Sequence, residues 1–204
     1  MSSAHLYHAL KALQEATHNV IQQEDLEKVE KTIQTCAIVA AATGIGSGML
    51  LGAGGVVMTV ASVAAIWTMY GKINEKLGIS ISGNALKSLA SAMLTNIIAG
   101  AGAYIAALVA TTIISFIPIL NFLALPAEAI IAYVAVFASG VLYIRFLTKV
   151  FKAQGCFVVE EGAKMDQFVK DVIREIDMRS VINDAKQSYD NDKKAGNINN
   201  HIVE

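Results

Sequence analysis

Glycine at high density is what phosphate-cradling loops are made of, and residues 43–55, "TGIGSGMLLGAGG", hold six glycines in thirteen positions. An NTPase loop needs a lysine followed by serine or threonine after its second glycine, to hold the terminal phosphates and magnesium. No lysine lies between Lys31 and Lys72, so that chemistry is excluded. A dinucleotide fingerprint needs G-x-G-x-x-G and a carboxylate about twenty residues on. Gly44, Gly46 and Gly48 have the wrong spacing and no acidic side chain follows before Glu75, so that chemistry is excluded too. The four histidines form no ligand pair beyond His5 and His8, and Cys36 and Cys156 lie in unlike surroundings, so neither a metal site nor a disulfide framework is expected. Cys156 reads as an unmodified thiol, with palmitoylation the alternative. No nucleophile, base and orienting group converge, and the expectation is a chain with no catalytic residue and no cofactor.

A different spacing in the same stretch does carry a physical role. Gly44, Gly48 and Gly52 recur every four residues, extended backward by Ala40. Such a face lets helix backbones approach closely in lipid, where packing drives association. Gly44 and Gly48 read as a helix-packing seam, within the protein or between copies in a homo-oligomer, and Gly52, Gly54 and Gly55 as a turn. Asn96 and Gly100 repeat the theme on one stripe, with Ala99, Ala103 and Ala107 on another. Two polar residues stand at membrane depth. Glu128 follows Pro126, where a first helical turn stabilises a carboxylate, and Asn96 suits interhelical hydrogen bonding; an ion or proton relay is the competing role for both.

The elements that must position these residues are set by charge. Of 204 residues 54% are apolar and 16% charged, against about 45–50% and 25% in soluble domains, and mean hydropathy is positive. No Asp, Glu, Lys, Arg or His occurs between Lys31 and Lys72 or between Lys87 and Glu128. The glycine cluster breaks the first block; Pro118, Asn121 and Pro126 break the second. Four apolar helical segments result, at 35–52, 55–71, 91–117 and 127–147. The first two are short for a membrane span of about 17 to 25 residues. Lysines and arginines flank the segments at 28–31, 72–87 and 145–152 but are missing from the two apolar connections, which makes both termini and the middle loop cytoplasmic. Four spans fit this pattern and are favoured; paired shallow hairpins dipping from the cytoplasmic face fit it as well.

The whole reads as an all-α protein. Residues 1–34 form an amphipathic segment without the character of a signal peptide, 35–152 a membrane-embedded domain of helical hairpins, 153–189 an amphipathic helix and 190–204 a disordered tail. In the carboxy-terminal helix Met165, Val169, Val172 and Ile176 share a face, continued less regularly by Ile182 and Tyr189; this is a partner face, for the amino-terminal helix or another protein. From Arg145 onward ten basic residues match ten acidic ones, which speaks against nucleic acid as a partner.

The stretches "LGAGGVVMTVASVAAIWTMYGKINEKLGISIS", "KSLASAMLTNIIAGAGAYIAAL" and "FIPILNFLALPAEAIIAYVAVFASGVLYIRFL" together resemble the YcjF-type helical domain of unknown function, a bacterial membrane-associated module. Met69, Tyr70, Leu77, Gly78, Lys87, Pro118 and Tyr143 stand at matching places, over roughly residues 36–152. The chain departs from that family in its first hairpin, where glycines replace a proline-containing turn. The resemblance implies an inner-membrane location and a cytoplasmic P-loop GTPase as partner, met in trans. The leading expectation is therefore a noncatalytic integral membrane module acting as anchor or adaptor. A pore-forming or membrane-disrupting effector, and a small channel or transporter using Glu128 and Asn96, are the alternatives.

Overall fold

The structure is a computed structural model that describes residues 3–43, 50–52, 55–57, 60–114, 124–159 and 162–198, with side chains described over 3–42, 63–100, 103–105, 129–159 and 162–198. Helix α1 (Ala4–Ala16) starts where the Ser3 hydroxyl accepts the Leu6 N–H at 3.3 Å, and it buries Leu6, Leu10 and Leu13 along one face. His18 and Asn19 take positive φ to turn the chain. Helix α2 (Gln23–Thr43) has Glu24 and Asp25 in its first turn, where the helix dipole favours negative charge. Its buried line of Leu26, Val29, Ile33, Ala37 and Ala41 runs without a break from the charged stretch into the first uncharged block. A two-stranded antiparallel hairpin follows, β1 (Leu50–Gly52) with β2 (Gly55–Val57), in register Leu50 to Val57.

Helix α3 (Val60–Leu77) is closed by Gly78 at φ +64°, with the Ile79 N–H bonded back to the Asn74 carbonyl at 2.9 Å. The two longest helices, α4 (Gly83–Ile114) and α5 (Ala124–Gln154), come next, then α6 (Ala163–Arg174) and α7 (Met178–Lys194). Asp177 caps α7 by accepting the N–H groups of Arg179 at 3.1 Å and Ser180 at 3.4 Å. Apart from the hairpin the regular structure among the described residues is helical, so the all-α class holds.

Helix α5 is the axis of the molecule. Every residue from 129 to 144 is buried, as a helix apolar on all sides must be. Helices α2, α3, α4 and α5 pack in a ring, each on the next and α5 back on α2, while α1, α6 and α7 cover α5 from the remaining side. The residues of 153–189 expected to form a partner face land there: Met165, Val169 and Val172 are buried, Ile176 is half-buried, and α6 and α7 both pack on α5.

Directions follow from side-chain pairs. Tyr70 meets Ser139 and Asn74 meets Tyr143, so α3 and α5 run parallel in matched steps of four. Tyr104 of α4 and Tyr133 of α5 both bond to α7, so the end of α4 and the start of α5 lie at one level. Helices α2 and α4 therefore end, and α3 and α5 begin, at the same end of the bundle, and β2 lies against α4.

Candidate membrane-docking end

The end that carries both connections is built from uncharged helix: α2 after Lys31, α3 before Lys72, α4 after Lys87 and, Glu128 apart, α5 before Arg145. Across its base lies α7. The Tyr104 hydroxyl donates to Asn183 Oδ1 at 2.6 Å, and the Arg179 guanidinium stands 5.8 Å from the Tyr104 ring centroid. Nine residues further along α7 the Tyr133 hydroxyl donates to Asp192 Oδ2 at 2.7 Å, and the Tyr133 ring meets Tyr189 edge to face at 5.5 Å. Helix α7 thus crosses α4 and α5 like a collar on one side of the bundle, and it is the element that brings charge to this level of two helices whose sequence beyond it carries no charge but Glu128. Tyrosine, with an apolar ring and a polar tip, suits such a boundary. From Tyr104 to Ile114 α4 rises ten residues, about 15 Å, and from Ala124 to Tyr133 α5 covers nine, about 14 Å.

Below the collar the interior holds a polar seam that inspection of the sequence does not reveal. Tyr70 and Tyr143 stack with centroids 3.9 Å apart and planes 11° from parallel. The Tyr70 hydroxyl pairs with Ser139 Oγ at 2.6 Å, and the Tyr143 hydroxyl donates to Asn74 Oδ1 at 2.5 Å. Both pairs are buried, and the Asn74 amide nitrogen has no partner among the described residues. Tyr70 with Asn74, and Ser139 with Tyr143, each four apart, were the only trace in the sequence; the pairing across helices was not visible.

Among the described residues, those singled out in the sequence do not converge. Gly44 and Gly48 lie outside the described residues; Gly52 ends β1. Gly100 is exposed on α4, with nothing within 4 Å of the position a Cβ would take. The glycine at a close approach is Gly140 of α5, whose Cβ position is 2.8 Å from Ile33 Cγ2. Asn96 is half-buried and its amide donates to the Ala92 carbonyl of its own helix at 2.8 Å. Glu128 stands in the first turns of α5, and its side chain lies outside the described residues. Cys36 is half-buried and Cys156 exposed, both as free thiols.

One arrangement mimics a hydrolase triad. His5 Nε2 is 2.8 Å from Ser180 Oγ, and Asp184 is adjacent. Asp184, however, accepts the backbone N–H of His5 at 2.8 Å and the Ser3 hydroxyl, not the imidazole. It satisfies the free His5 amide at the start of α1 and ties α1 to α7, the work of a capping group. Among the described residues no three His, Cys, Asp or Glu side chains gather as a metal site. Comparison of the chain with models of known protein families, with curated proteins and with solved structures finds no match.

Proposed function

We propose that the protein is a noncatalytic membrane-docking module. It dips the uncharged end of its bundle into one leaflet and holds the α1, α6 and α7 side in the cytoplasm as an adaptor surface. The observation that carries this reading is the collar: α7 lays charge and tyrosine across α4 and α5 on one side of the bundle, and beyond it these two helices run only about 15 Å, half of the roughly 30 Å hydrocarbon core. That depth favours paired dipping hairpins over four spans. The resemblance to the YcjF-type domain suggests a P-loop GTPase as the protein met in trans.

A second reading has one observation in its favour. Residues Ala129–Gln154 form a helix long and apolar enough to cross a membrane, and its most apolar stretch is 94% buried inside the protein. A helix stored in this way could be released into a bilayer by unwrapping α1, α6 and α7, as a pore-forming effector would do.

Single cysteines at Ser80, Gly54 and Asn121, in a background without Cys36 and Cys156, test the docked reading. Position 80 should label from the cytoplasmic side, and 54 and 121 should be protected from aqueous reagents on both sides. Labelling of 54 and 121 from the far side would replace docking by full spans. Leakage of vesicle contents on addition of the protein would favour the stored-helix reading.

A further inference from the structure

At the opposite end from the collar, α1, α5 and α6 line an open cavity of about 490 Å³, within the size range of small-molecule sites. Its walls differ in character. Ala12, Phe168 and Val172 make one side apolar, while Arg145, Lys149 and Lys152 of α5 project from the other. Lys149 is already neutralised, paired with Glu175 and lying 4.0 Å from Asp171. Glu175 itself lines the cavity and attracts Arg145 without pairing with it, and Lys152 has no such partner among the described residues. Arg145 is half-buried, makes no ion pair or hydrogen bond among the described residues, and its Nε–H is fully shielded with nothing to donate to. Lys152 is exposed at the rim and makes no ion pair or hydrogen bond among the described residues.

A shielded guanidinium donor without an acceptor is rare in proteins, because the lost hydration is not replaced. Its planar fork matches an oxyanion, and Lys152, two helical turns further along the same stripe of α5, adds a second charge on the lining of the same cavity. Three cations against the one carboxylate of the lining leave the cavity net positive, and with an apolar wall beside them they fit a dianionic group joined to an apolar remainder. We propose that this cavity binds a phosphate monoester, its phosphate on Arg145 and Lys152 and its organic portion against Phe168, Val172 and Ala12. The site lies about 18 Å along α5 from Tyr133, beyond reach of the headgroups at the collar, and it stands whether or not the bundle docks on a membrane.

The test is calorimetric titration of the full chain in neutral detergent with phenyl phosphate as probe. Saturable binding is expected, weakened about tenfold or more by Arg145→Met and several-fold by Lys152→Met, and unchanged by Lys28→Met on the exposed face of α2. Inorganic phosphate should compete more weakly, and Phe168→Ala should erase the difference between the two. The Arg145 Nε–H resonance in wild-type protein gives a readout that needs no variant to fold, and it should shift as phenyl phosphate is added. An unmoved resonance, an Arg145→Met variant that binds as wild type, or tighter binding of phenylacetate than of phenyl phosphate would each overturn the proposal.

Discussion

Gly140→Ala should destabilise the protein in its native background and stabilise it when Ile33 is first cut back to alanine. A Cβ at 140 would lie 2.8 Å from Ile33 Cγ2, 3.0 Å from Cγ1 and 3.2 Å from Cδ1. Two of those atoms sit on the stiff β-branched carbon, and Ile33 is fully buried, so it has little freedom to yield. Overpacking of this kind costs about 1–3 kcal/mol, while replacing a mid-helix glycine by alanine gains about 1 kcal/mol. The net expected loss is roughly 0–2 kcal/mol, and each 1 kcal/mol lowers the melting temperature by about 2–4 °C in a chain of this size. Ile33→Ala alone should cost about 2–5 kcal/mol, but it removes all three clashing atoms. In that background Gly140→Ala should keep only the helix-propensity gain of about 1 kcal/mol. Urea unfolding followed by circular dichroism, for wild type, both single variants and the double variant, closes the cycle. The coupling should reach about 2 kcal/mol, well beyond the roughly 0.5 kcal/mol scatter of independent sites. A Gly140→Ala gain of about 1 kcal/mol irrespective of residue 33 would mean that α2 and α5 do not approach closely here, and the ring of four helices would lose its tightest contact.

Two further outcomes follow from the seam and the docking end. Tyr143→Phe leaves Asn74 Oδ1 buried without its donor and should cost about 1–3 kcal/mol in the same unfolding assay; the double change with Asn74→Leu should cost less than the sum, and strict additivity would deny the bond. Ile119→Glu places a carboxylate in the second apolar connection and should weaken partition into vesicles by on the order of 100-fold, from about 3 kcal/mol for a charge at membrane depth; unchanged partition would remove that connection from the docking surface.

Much of this fold could be read from local pattern. Leu26, Val29 and Ile33, and Met165, Val169 and Val172, announce their helices and their buried faces by spacings of three and four. The break at the glycine cluster agrees with α2 ending at Thr43 and the one near Pro118 with α4 ending at Ile114, whereas Pro126, read as a break, sits in the first turn of α5, where its missing N–H is tolerated. The change from charged to uncharged residues near 34 reads as a boundary, yet α2 passes straight through it. Helix propagation is indifferent to the polarity of the outer face, and the buried line from Leu26 to Ala41 stays in register. What the sequence hides is long-range. Helix α5 is apolar all round, so its own periodicity cannot say which neighbour covers which side. For that reason neither the approach of Ile33 to Gly140 nor the pairing of Tyr70 and Asn74 with Ser139 and Tyr143 was legible, and the cavity at Arg145 needed three helices from distant parts of the chain. The small-residue stripe through Gly100 was conspicuous in sequence and stands open in the structure.

The matched steps of α3 and α5 carry a consequence for synthesis. Tyr70 and Ser139, like Asn74 and Tyr143, are 69 residues apart, and the partner of α3 in this seam is the last of the four ring helices to be made. At about 5–20 residues per second a ribosome needs on the order of 4 to 14 s to deliver Ser139 after Tyr70. Throughout that interval α2 and α3 exist as a hairpin whose uncharged faces have no α5 to bury them, and the two hydroxyls and the Asn74 amide must stay hydrated or find other partners. A bilayer or a chaperone close to the exit of the ribosome has first claim on that hairpin, before the bundle that will enclose it can form.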